Sequence, residues 1–131
     1  MANLKAGDTH EAVVVEGVTR THIVKYAGAS GDFNPLHHDD TKAKELGGYD
    51  SVFAHGMYSM GLTGRMLTDW LGPTALKNFG VRFTRQVWPG DTLTSKAEVT
   101  SVDDGVATIH VWTENQDGEK VVDGEAKAKV G

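Results

Sequence analysis

The run Ser30-Gly31-Asp32-Phe33-Asn34-Pro35-Leu36-His37-His38-Asp39-Asp40 gathers carboxylates, imidazoles and an amide around one proline. Such a set suits acid–base chemistry better than a core. Asp32 and His37 lie five positions apart and would not share a helical face. Across a bend anchored by Pro35 they can converge. A carboxylate beside an imidazole can hold a water between them. One group takes its proton while the other supplies a proton to a substrate atom. The same spacing also fits a surface turn, with Asp32 capping and His37 solvated. The Asn34 amide can position water or substrate, or it can form the turn that Asn-Pro favours. Asp39 or Asp40 can N-cap the helix that follows, and His38 reads as a solvent-facing neighbour.

Ala54-His55-Gly56-Met57 opens an apolar, glycine-rich segment soon afterwards. At a helix N-terminus the unpaired N–H groups point outward with partial positive charge. Glycine at position 56 lets a ligand carbonyl approach closely, which suits an oxyanion hole for a thioester or enolate. A packing glycine is the plainer reading, and the two are compatible. Ser59 can add a hydroxyl, or simply pack. His37, His38, Asp39 and His55 have metal-ligating types, but adjacent histidines point apart and no H-E-x-x-H spacing occurs. No metal is expected. Arg82, Arg85 and Lys77 can greet phosphates at a pocket mouth, or stay solvated on a strand. Tyr58-Ser59-Met60-Gly61 lacks the G-x-S-x-G elbow, and neither a P-loop nor a dinucleotide fingerprint is present.

These residues need a frame. Residues 8–18 read as a strand around Val13, Val14 and Val15. Thr19 caps a short helix through about Ala27. Asp39–Leu46 forms another, ended by Gly47-Gly48. His55 to Trp70 is the longest helical candidate, with Met57, Met60, Gly61, Gly64, Leu67, Thr68 and Leu71 near one stripe. Gly56, Gly61 and Gly64 each cost about 1 kcal/mol relative to alanine, so close packing against a sheet is expected to offset them. Gly72-Pro73 stops this helix. Val81, Phe83, Arg85 and Val87 then alternate, Pro89-Gly90-Asp91 turns, and Leu93–Val102 follows. Asp103-Asp104-Gly105 signals a hairpin into Val106–Thr113. There Ala107, Ile109 and Val111 share one face, and Val106, Thr108, His110 and Trp112 the other. Asn115-Gln116-Asp117-Gly118 turns into Glu119–Val130. The class is α+β, with an antiparallel sheet of about five strands wrapped around one long central helix. That is the hotdog architecture. One sheet cannot easily bury both the helix and a substrate site, so pairing of two such units is expected.

The composition agrees. A chain of 131 residues reads as a single domain, 1–131, able to bury a core without staples. Zero cysteines exclude disulfides, thiolate zinc sites and a cysteine nucleophile. The net charge of −5 comes without a concentrated basic face, which speaks against nucleic acid. No apolar run approaches a membrane span, and no secretory signal opens the chain. A cytoplasmic location fits.

The motif Tyr26-Ala27-Gly28-Ala29-Ser30-Gly31-Asp32-Phe33-Asn34-Pro35-Leu36-His37 resembles the MaoC-like, or R-specific enoyl-CoA hydratase, family of hotdog proteins. Phe53-Ala54-His55-Gly56-Met57, Val81-Arg82-Phe83 and Val87-Trp88-Pro89-Gly90-Asp91 continue the likeness in the family's order. The resemblance implies hydration of a trans-2-enoyl thioester to the (3R)-3-hydroxyacyl thioester, or the reverse dehydration. It implies no metal or redox cofactor. It carries catalytic roles to Asp32 and His37, and a carbonyl-binding role to the Gly56 N–H. The implied substrate is an acyl-CoA or acyl-carrier-protein thioester, with a second hotdog chain as homodimer or heterodimer partner. Similar chains are one half of a heterodimeric acyl-carrier-protein dehydratase or of a steroid side-chain hydratase, and Thr68-Asp69-Trp70-Leu71-Gly72-Pro73 resembles those types. The rivals are an acyl-CoA thioesterase and a non-catalytic acyl-binding subunit. The Asp32/His37 pair argues against both.

Overall fold

The computed structural model describes residues 2–131. Strand β1 spans Thr9–Val15, helix α1 Arg20–Ser30, α2 Asp40–Gly47 and α3 Gly56–Leu71. Strands β2 Leu76–Phe83, β3 Leu93–Asp103, β4 Val106–Glu114 and β5 Lys120–Lys129 complete the chain. All pairings are antiparallel, in the order β1-β3-β4-β5-β2. β2 therefore closes one edge of the sheet although it comes second in sequence. It reaches that edge because α3 crosses the sheet face before it. This is the expected hotdog, with two short helices added between β1 and α3.

Local chemistry sets the element ends. Thr19 N-caps α1: its hydroxyl accepts from the His22 N–H, and His22 Nδ1 accepts from the Thr19 N–H, both at 3.0 Å. Asp39 caps α2 through the Lys42 N–H at 3.1 Å. Asp104 and Gly105 both take positive φ, 52° and 74°, between the paired Asp103 and Val106. That is the two-residue hairpin loop whose twist matches its strands.

The sheet curls over α3. Met66, Leu67 and Leu71 meet Leu93, Ala97, Ile109, Val111 and Ala126 in one buried cluster. Alternation on β4 works as expected, with Ala107, Ile109, Val111 and Thr113 buried. A chain of hydroxyls crosses this core. Ser95 Oγ meets Thr113 Oγ1 at 2.5 Å, Thr113 meets Thr63 Oγ1 at 2.6 Å, and Thr63 donates to the Ser59 carbonyl at 2.9 Å. Each hydroxyl has a partner, so none pays an unsatisfied burial cost.

Two expectations need correction. The core face of α3 is Ser59, Thr63, Met66, Leu67 and Leu71. Met57 and Gly61 of the expected stripe are exposed, and Met60, Gly64 and Thr68 only half-buried. The helix is apolar on two faces, and periodicity cannot say which one the sheet covers. Close packing explains Gly56 and Gly64, where an added Cβ would come within 3.1 Å of Phe83 and Phe79. It does not explain Gly61, where a Cβ would meet nothing within 4 Å. The second correction concerns the alternation to Val87. β2 ends at Phe83, and the Val87 carbonyl instead accepts from the Ala54 N–H at 2.8 Å. That bond fastens the segment entering α3.

Candidate active site

Helix α1 ends at Gly31 in the left-handed region, φ 77°, which swings the chain so that Asp32 follows immediately. Asp32 Oδ1 accepts from the Asn34 N–H at 3.2 Å, and Asn34 Oδ1 accepts from the Leu36 N–H at 3.0 Å. These bonds start the single 3-10 turn Pro35–His37, with Pro35 at its first position. Asn34 thus uses its side-chain oxygen on the turn, and it is exposed rather than part of the lining of the cleft beside His37. The turn is tied to the entry of α3 by two bonds. The Phe53 N–H donates to the Leu36 carbonyl at 3.2 Å, and His37 Nδ1 lies 2.6 Å from the Phe53 carbonyl.

The second bond fixes the His37 tautomer. A carbonyl only accepts, so Nδ1 carries the proton, and Nε2 of the neutral ring has a free lone pair. Burial pushes the His37 pKa below its ordinary value, outweighing the raising effect of the Phe53 carbonyl; the neighbouring His55 lowers it further. His37 is therefore a neutral imidazole at neutral pH, with Nε2 able to accept. Asp32 is exposed, and its carboxylate accepts one bond, from the Asn34 N–H. One donor atom from each of Asp32, His37 and His55 lies within 4.8 Å of the others. The expected convergence of Asp32 and His37 is present.

Gly56 begins α3, so its N–H belongs to the first turn, whose donors have no partner inside the helix. The Phe83 ring packs close by, so that an added Cβ at Gly56 would come within 3.1 Å of it. Gly56 and Phe83 separate two clefts. One, of about 360 Å³, is lined by Tyr26, Asp32, His37, His55, Gly56 and Phe83 among others. The other, of about 300 Å³, runs along Phe53, Thr84, Arg85 and Gln86. The first places a carboxylate, an imidazole and a helix N-terminus around one space. That set can hold a water, move its proton and stabilise an oxyanion.

The remaining candidates fall elsewhere. His38 Nε2–H donates to the Phe33 carbonyl at 3.0 Å on the exposed side of the loop. Asp40 accepts from the Val52 N–H and from Arg20, each at 3.0 Å. The Arg20 bond is the first cause of its lowered pKa. Arg85 pairs with Glu119 at 2.9 Å, and Lys77 and Arg82 stay exposed. Ser59 is buried in the core face of α3. His55 is the residue that sequence reasoning under-used. It is only 3% exposed, and in the sequence it stands as a metal-ligating type and a member of the Phe53–Met57 motif, without a role of its own. As a metal site the cluster is poorly shaped. The His37 and His55 rings stack at 3.8 Å and 23°, and His37 Nδ1 and His55 Nε2 are each already engaged on a main-chain carbonyl.

Comparison with known proteins extends this geometry. The family model described as "MaoC like domain" matches residues 3–121. The 3-oxo-4,17-pregnadiene-20-carboxyl-CoA hydratase beta subunit of Mycobacterium tuberculosis is 41% identical over 102 residues, 77% of this chain and 78% of that protein. The (R)-hydratase from A. caviae involved in PHA biosynthesis superposes with a TM-score of 0.86 at 27% identity, covering 98% of both chains. A chain of the ChsH1-ChsH2 complex from Mycobacterium tuberculosis superposes at 0.79 with 31% identity, covering 100% of both. Other relatives are longer, and the chain spans 7%, 31% and 29% of three of them.

Proposed function

The chain belongs to the MaoC-like domain family, and we propose that it is a hydro-lyase that hydrates trans-2-enoyl thioesters to (3R)-3-hydroxyacyl thioesters, or runs the reverse dehydration. The observation that carries this reading is the cleft where Asp32 and His37 face the first turn of α3. At neutral pH a carboxylate and a neutral imidazole are both acceptors. One water can give one O–H to Asp32 and the other to His37 Nε2. Its lone pair is then free to attack C3. The thioester carbonyl sits at the Gly56 N–H, where the enolate charge develops and is stabilised as it forms. The attacking water loses a proton to one member of the pair, and a proton is returned to C2. The new C–O and C–H bonds replace the C2–C3 double bond, and water is the only co-reactant.

The substrate is an acyl-CoA or acyl-carrier-protein thioester, and the cytoplasm is its expected compartment. The working unit is a dimer of hotdog chains. Met57 and Phe83 rim the cleft, each 54% exposed. β2 has a partner on one side only, and a free strand edge invites pairing. The likeness to a hydratase beta subunit and to a chain of a two-protein complex favours a heterodimer as the alternative to a homodimer. The test follows loss of the conjugated enoyl absorbance across an enoyl-CoA series, with the chain alone and then with any co-encoded hotdog chain. Turnover by the chain alone makes it a self-sufficient hydratase. Turnover only in the mixture makes it one half of a heterodimer. Release of free thiol would make it a thioesterase, and no reaction in either format would make it an acyl-binding subunit.

A further inference from the structure

We propose that His55 is a positioning residue for the Asp32–His37 pair, fastening the Asp32 loop and the His37 ring to the start of α3. The proposal rests on the hydratase reading above. Three observations on one side chain carry it. His55 Nε2–H donates to the Asp32 main-chain carbonyl at 2.9 Å, across 23 residues of sequence. Its ring stacks on His37 at 3.8 Å. Its backbone is the N-cap of α3, one residue before the Gly56 N–H. A single residue therefore touches every part of the proposed chemistry without lining up as acid, base or oxyanion donor.

Two features argue against a merely structural histidine. N-caps favour side chains that bond the first turn, yet His55 makes no such bond. Its Nδ1 is buried without a partner, a burden that an apolar ring filling the same space would avoid. The sequence keeps an imidazole where neither capping nor packing asks for one. The Asp32 carbonyl does ask for one, because the loop has no other tie from α3 at that atom. Tyr26, from α1, also packs on the His55 ring, with centroids 4.8 Å apart. The imidazole is thus held by two rings, Tyr26 and His37, as well as by its bond to Asp32.

The stack also bears on proton affinity. His37 is faced by Asp32 and His38 from its own loop, by His55 from α3, and by the uncharged Phe53 from the segment between. Two stacked imidazoles resist carrying charge together, so His55 helps keep His37 in its basic form. A phenylalanine would keep the stack and lose both the donor and that electrostatic effect. A glutamine would keep a donor near the Nε2 position and lose the ring.

The experiment compares wild type, His55→Phe and His55→Gln in two readouts. Steady-state hydration of crotonyl-CoA gives kcat and KM, in whichever homo- or heterodimer is active. Proton NMR of the His37 ring across pH gives its titration without any turnover. For His55→Phe the expected result is a kcat loss of about 10-fold or more, the scale set by misplacing catalytic groups. KM should change much less than kcat, because the proposed role is to place the Asp32–His37 pair rather than to hold the thioester. His55→Gln should recover part of kcat through its donor. In both variants His37 should titrate at higher pH than in wild type. Unchanged kcat, a kcat loss with an unchanged His37 titration, or failure of both variants to fold would each make His55 a structural residue and overturn the proposal. If wild type itself hydrates no thioester, the hydratase reading fails, and the His37 titration alone then decides whether His55 acts on that ring.

Discussion

Replacing Asp32 with asparagine separates folding from chemistry at the site. Asp32 sits on an exposed loop and accepts one main-chain bond, from the Asn34 N–H at 3.2 Å. Asparagine keeps that acceptor, so the turn that presents His37 stays formed. A surface change of this kind moves stability by roughly 0.5 kcal/mol. The chemistry responds differently. The second carboxylate oxygen becomes an amide NH2 group, which pushes hydrogens at the water instead of receiving one. The water is then held in the wrong sense, and one of its two acceptors is gone. Losing a positioned acid or base costs at least ~10²-fold, which is about 2.7 kcal/mol of barrier. The effect on the barrier thus exceeds the effect on the fold several times over. The assay is hydration of crotonyl-CoA beside thermal unfolding of the same preparation. The expected outcome is a near-wild-type melting temperature with kcat and kcat/KM reduced together. His37→Ala should remain folded too, with a larger stability loss of about 1 kcal/mol for its bond to the Phe53 carbonyl, and the same activity loss. Near-wild-type activity in either folded variant refutes the assignment.

Because burial lowers the His37 pKa, the acid limb of the rate profile should fall below the ordinary histidine value of about 6.5; a limb above it contradicts the neutral-base role. The same shift makes stability sensitive to acid. As pH drops the unfolded state binds this proton first, so His37's contribution is full above about 6.5 and is lost toward the lowered folded value. His37→Gln should flatten that part of a stability–pH curve. In the core, Thr113→Val should cost about 1–3 kcal/mol by stranding the Ser95 hydroxyl, while Thr63 keeps its bond to the Ser59 carbonyl, and chemical denaturation that shows no loss would deny the hydroxyl chain its role. Chiral analysis of the product should give the 3R hydroxyacyl thioester; a 3S product removes the stereochemical part of the proposal.

Which of these features can be read from residues alone follows from the range of the interactions that create them. The caps at Thr19 and Asp39 and the Asp104-Gly105 hairpin are settled within four residues. The chain spells them out, and the structure agrees. So is the turn through Asn34 and Pro35 that brings His37 back toward Asp32. The core face of α3 is a different problem. Met57 and Met60 are as apolar as Met66 and Leu67, and only the position of the sheet decides which pair it covers. Val87 shows the same limit. It keeps step with Val81 and Phe83, yet it leaves the sheet and serves the entry of α3 through its carbonyl. His55 lies furthest from what sequence can reveal. Its partners are the Asp32 carbonyl, 23 residues earlier, and the rings of His37 and Tyr26, and a carbonyl carries no letter of its own. A buried histidine beside a legible acid–base pair is therefore where the structure adds most to the sequence. Motif residues announce the chemistry, but the residue that holds them in place is identified only by what it touches.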